Sequence, residues 1–314
     1  MSTCSSDSRE LDEPLAGTAA TARTWLLLEQ PGPWGAKALT SSHLDPALGR
    51  ALEAAAKDTG VRVALIRRPG RHADRGMSTA RQVYAAHTTP GNAWLHSATV
   101  CDPRRLLDVD FTALGKGDPR TFDTALRAGP HTGEPLALVC TNGKRDRCCA
   151  LLGRPLAAEL DASGMDGIWE VTHLGGHRFS PTLLVLPYGY AYGRAEAHAV
   201  KEILDRTREG RIVVEGCRGN SAWDRPGQAA ELAVRTAAAE YGADALSVVR
   251  TAGAAPRWTV TVAHTDGRQW HVVVSQETAT PPRAESCGTS VLGSPARMDV
   301  VAVRELSIAS ALAG

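Results

Sequence analysis

Four donors suited to a soft metal lie close together in the chain: Cys140, Cys148 or Cys149, His173 and His177. Cys140 ends the apolar run LALVC, and Cys148 and Cys149 follow it eight and nine residues later. His173 and His177 are spaced i, i+4, which in a helix would put both rings on one face. Gly175 and Gly176 stand between them and argue for a tight loop instead. Such a loop can still aim two rings at one point. Two thiolates and two imidazoles form a donor set for Zn²⁺ or an iron–sulfur centre, not for Mg²⁺ or Ca²⁺. The plainer reading is that Cys140 is a small buried hydrophobe and that the imidazoles are satisfied by backbone carbonyls. Spacing alone does not choose between Cys148 and Cys149.

The elements that must position these residues are short. Residues 136–140 read as a strand, TNGKRDR as a polar basic loop, and 148–160 as a helix that Pro155 should kink or end in its first turn. Strands are expected at 168–172 and 182–186, then a turn into a fourth at 188–193 and a helix over 195–209. All four candidate ligands flank one edge of that sheet. Upstream, TWLLLE at 24–29 reads as a strand, and Asp45-Pro46 reads as a helix start. Strands follow at 61–66, 82–88 and 93–100, with a basic loop, RRPGRHADRG, at 67–76. Downstream, a helix at 226–241 precedes a hairpin, 257–264 and 268–276, turning at Asp266-Gly267, with a loop over 280–295. The expected organisation is α/β throughout. A flexible tail (1–18) and an N-terminal α/β domain (19–130) come first, then a central domain (131–215) and a C-terminal helix-plus-hairpin segment (216–314).

Composition narrows the function classes. The chain has 314 residues, 43% of them hydrophobic, and a net charge of +1. That is enough apolar material for real cores and not enough positive charge for a dedicated nucleic-acid or membrane-surface protein. Seven cysteines, an odd number, do not read as a disulfide framework. The polar N-terminus has no apolar signal region, and no run approaches the length of a membrane span. A cytoplasmic protein with no nucleic-acid or membrane partner is expected. Sequence patterns for nucleotide binding and for hydrolytic catalysis, such as G-x-x-x-x-G-K-[ST] and G-x-S-x-G, are absent.

The segments CTNGKRDRCC at 140–149 and HLGGHRFSPTLLVLPYGYAYGR at 173–194 resemble the sucrase/ferredoxin-like family of thioredoxin-like [2Fe-2S] proteins. The likeness extends to EQPGPWG at 29–35 and CRGNSAW at 217–223. It implies a thioredoxin-like central domain. It also implies a cluster between a C-x8-C pair and an H-x3-H pair, here Cys140, Cys149, His173 and His177. Cys149 rather than Cys148 is the ligand so implied. SPTLLVLPYGY also resembles the thioredoxin segment in which a proline precedes a central strand, making Pro181 a candidate cis-proline.

With two thiolates and two neutral imidazoles, an oxidised [2Fe-2S] site would total zero charge, against −2 for four thiolates. Its potential should therefore be raised, as in centres with two histidines on one iron. One-electron transfer is the function this implies, with no stand-alone enzyme activity. A redox partner protein would dock at the basic loop Lys144, Arg145, Arg147. The alternative is a structural zinc site on the same four ligands, in a scaffold or interaction protein. Sucrose hydrolysis is disfavoured: Asp161, Asp166 and Glu170 cluster in sequence, but nothing marks them as a catalytic pair.

Overall fold

The computed structural model describes residues 3–70, 80–289 and 291–306. Most of the basic loop expected at 67–76 lies outside them. Ten strands form one mixed sheet: β1 (Thr24–Glu29), β2 (Val61–Arg67), β3 (Arg81–His87), β4 (Trp94–Val100), β5 (Gly129–Pro130), β6 (Leu136–Cys140), β7 (Ile168–Val171), β8 (Leu183–Leu186), β9 (Tyr190–Tyr192) and β10 (Cys217–Asn220). Their order is β10-β9-β8-β6-β7-β2-β1-β3-β4-β5. The helices are α1 (Cys4–Glu10), α2 (Pro46–Ala56), α3 (Phe111–Gly115), α4 (Arg120–Leu126), α5 (Arg154–Ala162), α6 (Ala197–Arg208) and α7 (Arg225–Ala238). A second, antiparallel sheet comprises β11 (Leu246–Ala254), β12 (Arg257–His264), β13 (Gln269–Thr278) and β14 (Ala296–Glu305). The protein is an α/β protein.

Local chemistry sets the helix starts. Asp45 caps α2 by accepting from the Ala47 N–H at 2.9 Å, with Pro46 in the first turn. Asp224 does the same for α7 through Gly227 at 2.8 Å. In the central part, β6 and β7 run parallel with α5 between them, and β8 and β9 add antiparallel on the other side of β6. The order in this part is therefore β9-β8-β6-β7, with β6 and β7 parallel and β8 and β9 antiparallel neighbours. The Ser180–Pro181 peptide is cis. Every residue of β6 is buried, so its two faces feed two different cores. Ala137 and Val139 pack with α5 and α6, whereas Leu138 and Cys140 share a core with Trp25, Leu27 and Ile66 of the N-terminal strands. Tyr190 and Tyr192 are buried in the first of these cores, as a packing stripe.

The structure departs from the sequence reading in three places. The sheet does not break near residue 130, because β2 pairs with β7 through Ile66 and Arg67. The C-terminal segment is a full four-stranded sheet. β11 and β14 flank the expected hairpin, and α7 packs against it around Trp270, Val272 and Val274. The first residues, expected as a loose tail, carry α1, with Cys4, Ser5 and Ser8 buried. Their anchors are polar, which is why the segment reads as solvated: the Ser5 hydroxyl donates to the Ser180 carbonyl at 3.0 Å, and Arg194 donates to the Ser8 carbonyl at 2.8 Å.

Glu13 completes that anchor. Its buried carboxylate accepts from Arg178 Nε at 2.8 Å and lies 3.1 Å from Arg283 Nη2. Burial pushes this carboxyl up. The hydrogen bond from Arg283, with the charge and hydrogen bond of Arg178, outweighs burial and holds it below its ordinary value. A depressed carboxyl contributes stability above its unfolded-state pKa and loses it as pH falls through the folded value. Glu13→Gln is therefore expected to cost about 3 kcal/mol at neutral pH. The gap from the native chain should narrow below the usual carboxylate range. Chemical denaturation at neutral and acid pH checks this, and equal stability at neutral pH would contradict it.

Candidate metal centre

Cys140 ends β6, and the turn that carries Cys149 begins nine residues later. That turn, Cys149–Gly153, is a wide π-type turn running into α5. Pro155 has no N–H to return to the preceding turn, so the ordinary helical spacing is interrupted there. Gly153 lies against the end of β6: a Cβ built on it would sit 2.2 Å from the Cys140 carbonyl oxygen. This close approach brings the Cys140 and Cys149 sulfurs to 3.5 Å, both fully buried. The Ser180 hydroxyl also reaches Cys149 Sγ, at 3.8 Å. Cys148 points the other way and takes no part in this pair.

His173 follows β7, and His177 opens a short 3-10 turn, His177–Phe179. Gly176, just before it, has φ +70°, and a Cβ there would sit 2.1 Å from Arg218 Nη2. Only glycine fits that position without displacing the guanidinium. The two rings lie with centroids 6.1 Å apart. Both Nδ1 atoms are buried without a hydrogen-bond partner. His177 Nε2 faces the Glu285 carbonyl at 3.1 Å and the Asp146 carboxylate at 3.5 Å. With Nε2–H donating there, the Nδ1 lone pair is left free, the second-shell arrangement typical of metal-bound histidine.

The hydrogen bond between the two buried sulfurs moves their thiols in opposite directions. The Cys140 thiol is held well below its ordinary value, first by the hydrogen bond it shares with Cys149 and, against burial, by His173 and the Leu174 N–H. The same bond, with burial, pushes the Cys149 thiol up. Burial lowers the His177 imidazole. Arg218 is buried and donates to Thr18 and to the Gly175 carbonyl. Among the described residues, no carboxylate pairs with it. Burial lowers it to about 10, and the Cys140 charge acts in the opposite sense. The guanidinium and Cys140 are thus close enough to act on each other electrostatically.

The structure thus brings Cys140 and Cys149 into contact, with His173 against Cys140 and His177 on the same loop. Two thiols and two free, buried imidazole nitrogens are the donors a [2Fe-2S] centre with mixed ligation requires. Of the expected docking residues, Lys144, Arg145 and Arg147 are exposed. Among the carboxylates weighed for hydrolysis, Asp161 and Asp166 are exposed, while Glu170 is buried in an ion pair with Arg67 at 2.8 Å.

A second group of donors abuts the first. Among the described residues, Cys4, Asp146, Cys148 and Cys287 form a group whose potential ligand atoms all lie within 4.8 Å of one another, and it could hold a metal ion. Sequence reading missed this group, because Cys4 and Cys287 are far from Cys148 in the chain and carry no spacing signal.

A family model described as sucrase/ferredoxin-like matches residues 15–219. No curated protein and no solved structure gives a significant match. Among the described residues, no helix is long and apolar enough to cross a membrane.

Gly153→Ala is expected to destabilise the fold by about 1–3 kcal/mol, because the methyl group drives the Cys149 turn away from β6. Urea unfolding of the purified variant measures this. Unchanged stability would mean that the close approach between Gly153 and Cys140 carries no packing constraint.

Proposed function

The chain belongs to the sucrase/ferredoxin-like family, and from that premise we propose that it is a one-electron carrier holding a [2Fe-2S] cluster on Cys140, Cys149, His173 and His177. The observation that carries the reading is the pair of buried, unpartnered Nδ1 atoms on the loop beside two touching thiols. An unpaired buried nitrogen is costly unless something fills its lone pair. A bound cluster supplies the capacity to accept and release one electron.

The remaining residues set the conditions for that chemistry. Cys140 and Cys149 arise from a strand end and a helix start, so their separation is held by the sheet. The Glu285 carbonyl and Asp146 fix the His177 tautomer and ring orientation. Arg218, buried and without a carboxylate partner among the described residues, favours the added electron and raises the potential. Burial of the two cysteines keeps solvent from the sulfur side, while His177 retains 20% side-chain exposure and leaves one edge near the surface. That edge, with the exposed Lys144, Arg145 and Arg147, is where an acidic redox partner would dock.

Anaerobically purified protein should contain about two irons and two sulfides per chain. It should lose visible absorbance with dithionite and give an EPR signal when reduced. His177→Ala should abolish or reshape that signal, and Cys217→Ala should leave it intact. Colourless protein without iron would contradict the reading. In the same preparation, Arg218→Gln should lower the midpoint potential by on the order of tens of millivolts. A potential unmoved by that change would remove Arg218 from the account.

A further inference from the structure

Three cysteines outside the proposed cluster meet at one point. Cys4 Sγ lies 3.5 Å from Cys148 Sγ and 3.5 Å from Cys287 Sγ, and the last two are 3.1 Å apart. They come from α1, from the turn ahead of α5 and from the loop between β13 and β14. Cys4 and Cys148 are fully buried, and Cys287 is half-buried. Asp146 supplies the fourth donor. Its side chain is wholly buried, with Oδ1 3.9 Å from Cys4 Sγ. We propose that Cys4, Cys148, Cys287 and Asp146 form a second metal site, separate from the cluster, that binds a structural zinc ion.

The spacing selects one ion over a cluster. Sulfurs bound at about 2.3 Å to one tetrahedral zinc lie about 3.8 Å apart. The two separations from Cys4, at 3.5 Å, are within a few tenths of an ångström of that value, and Cys148–Cys287, at 3.1 Å, would have to open by about 0.7 Å to reach it, whereas thiolates on different irons of a cluster lie much further apart. The donor set suits zinc: three soft sulfurs and one carboxylate oxygen. All four positions come from the protein, so the site is closed and its role is structural.

The surroundings are organised for the metal-bound form. Asp146 Oδ1 accepts the Cys148 N–H at 2.9 Å, and Oδ2 accepts the Cys287 N–H at 3.0 Å and the Ser286 hydroxyl at 2.9 Å. The carboxylate that would bind the ion thus also holds the backbone of two of the three cysteines in place. Without a cation, three thiols and a carboxylate would be packed together in a buried space with only weak S–H bonds between them. The competing fate is a Cys148–Cys287 disulfide, which would use two of the ligands and leave Cys4 alone.

The ion would fasten three remote segments over the cluster side of the molecule. His177 Nε2 faces both Asp146 and the Glu285 carbonyl, two residues before Cys287. Loss of the zinc would therefore loosen the second shell of one proposed cluster ligand.

Metal analysis of the full chain tests this separately from the iron–sulfur reading. Native protein should carry about one zinc per chain in addition to any iron. Cys140→Ser should lose iron and sulfide but keep the zinc. Cys287→Ser, at the more exposed ligand, should lose the zinc, to less than about a tenth per chain. Should that variant fail to fold, Co²⁺ added to zinc-stripped Cys140→Ser protein gives a second measure. A tetrahedral thiolate–cobalt absorption spectrum supports the site, and its absence overturns it. The proposal also fails if native protein holds no zinc, if zinc stays with Cys287→Ser, or if intact mass shows the chain two hydrogens lighter from a Cys148–Cys287 disulfide.

Discussion

Consecutive residues on a helical turn project about 100° apart, and the centre of this protein depends on that divergence at Cys148 and Cys149. Cys149 turns inward to the end of β6, where Cys140 waits at 3.5 Å. Cys148 turns toward Cys4 and Cys287. One short turn therefore serves two clusters of donors, and the wide geometry ahead of Pro155 is what lets it sit against the strand at Gly153. Shifting this turn by one residue would exchange the two sulfurs and dismantle both groups.

The surrounding ion pairs hold loops that have little apolar surface of their own. Glu13 joins Arg178, next to His177, to Arg283 on the loop that carries Cys287. Asp146 joins His177 to the Cys287 backbone. These are buried charges, so each is costly alone and useful only in company. The consequence is that the N-terminal helix, the histidine loop and the C-terminal loop hold one another in place, and the site depends on residues from both ends of the chain.

The parts legible in the sequence were those governed by local pattern. The apolar runs at β1, β2 and β6, the Asp45-Pro46 cap and the Asp266-Gly267 turn all follow from periodicity or turn chemistry. Cys140, His173, His177 and one of Cys148 and Cys149 were legible as a donor set, while the choice of Cys149 came from the family resemblance and not from spacing. What was not legible depended on distance along the chain. α1 hides among serines whose contacts are hydrogen bonds rather than apolar packing. β11 and β14 are half exposed and lack a clean alternation. Cys4, Asp146 and Cys287 come together only through the tertiary fold, and no spacing rule links residues that far apart.

The most direct test of the proposed electron carrier is pulsed EPR on the reduced protein, grown with and without isotopically labelled histidine. Hyperfine couplings from two histidine nitrogens, changing with the label, are the result expected of ligation by His173 and His177. A reduced centre showing no strongly coupled histidine nitrogen would contradict it.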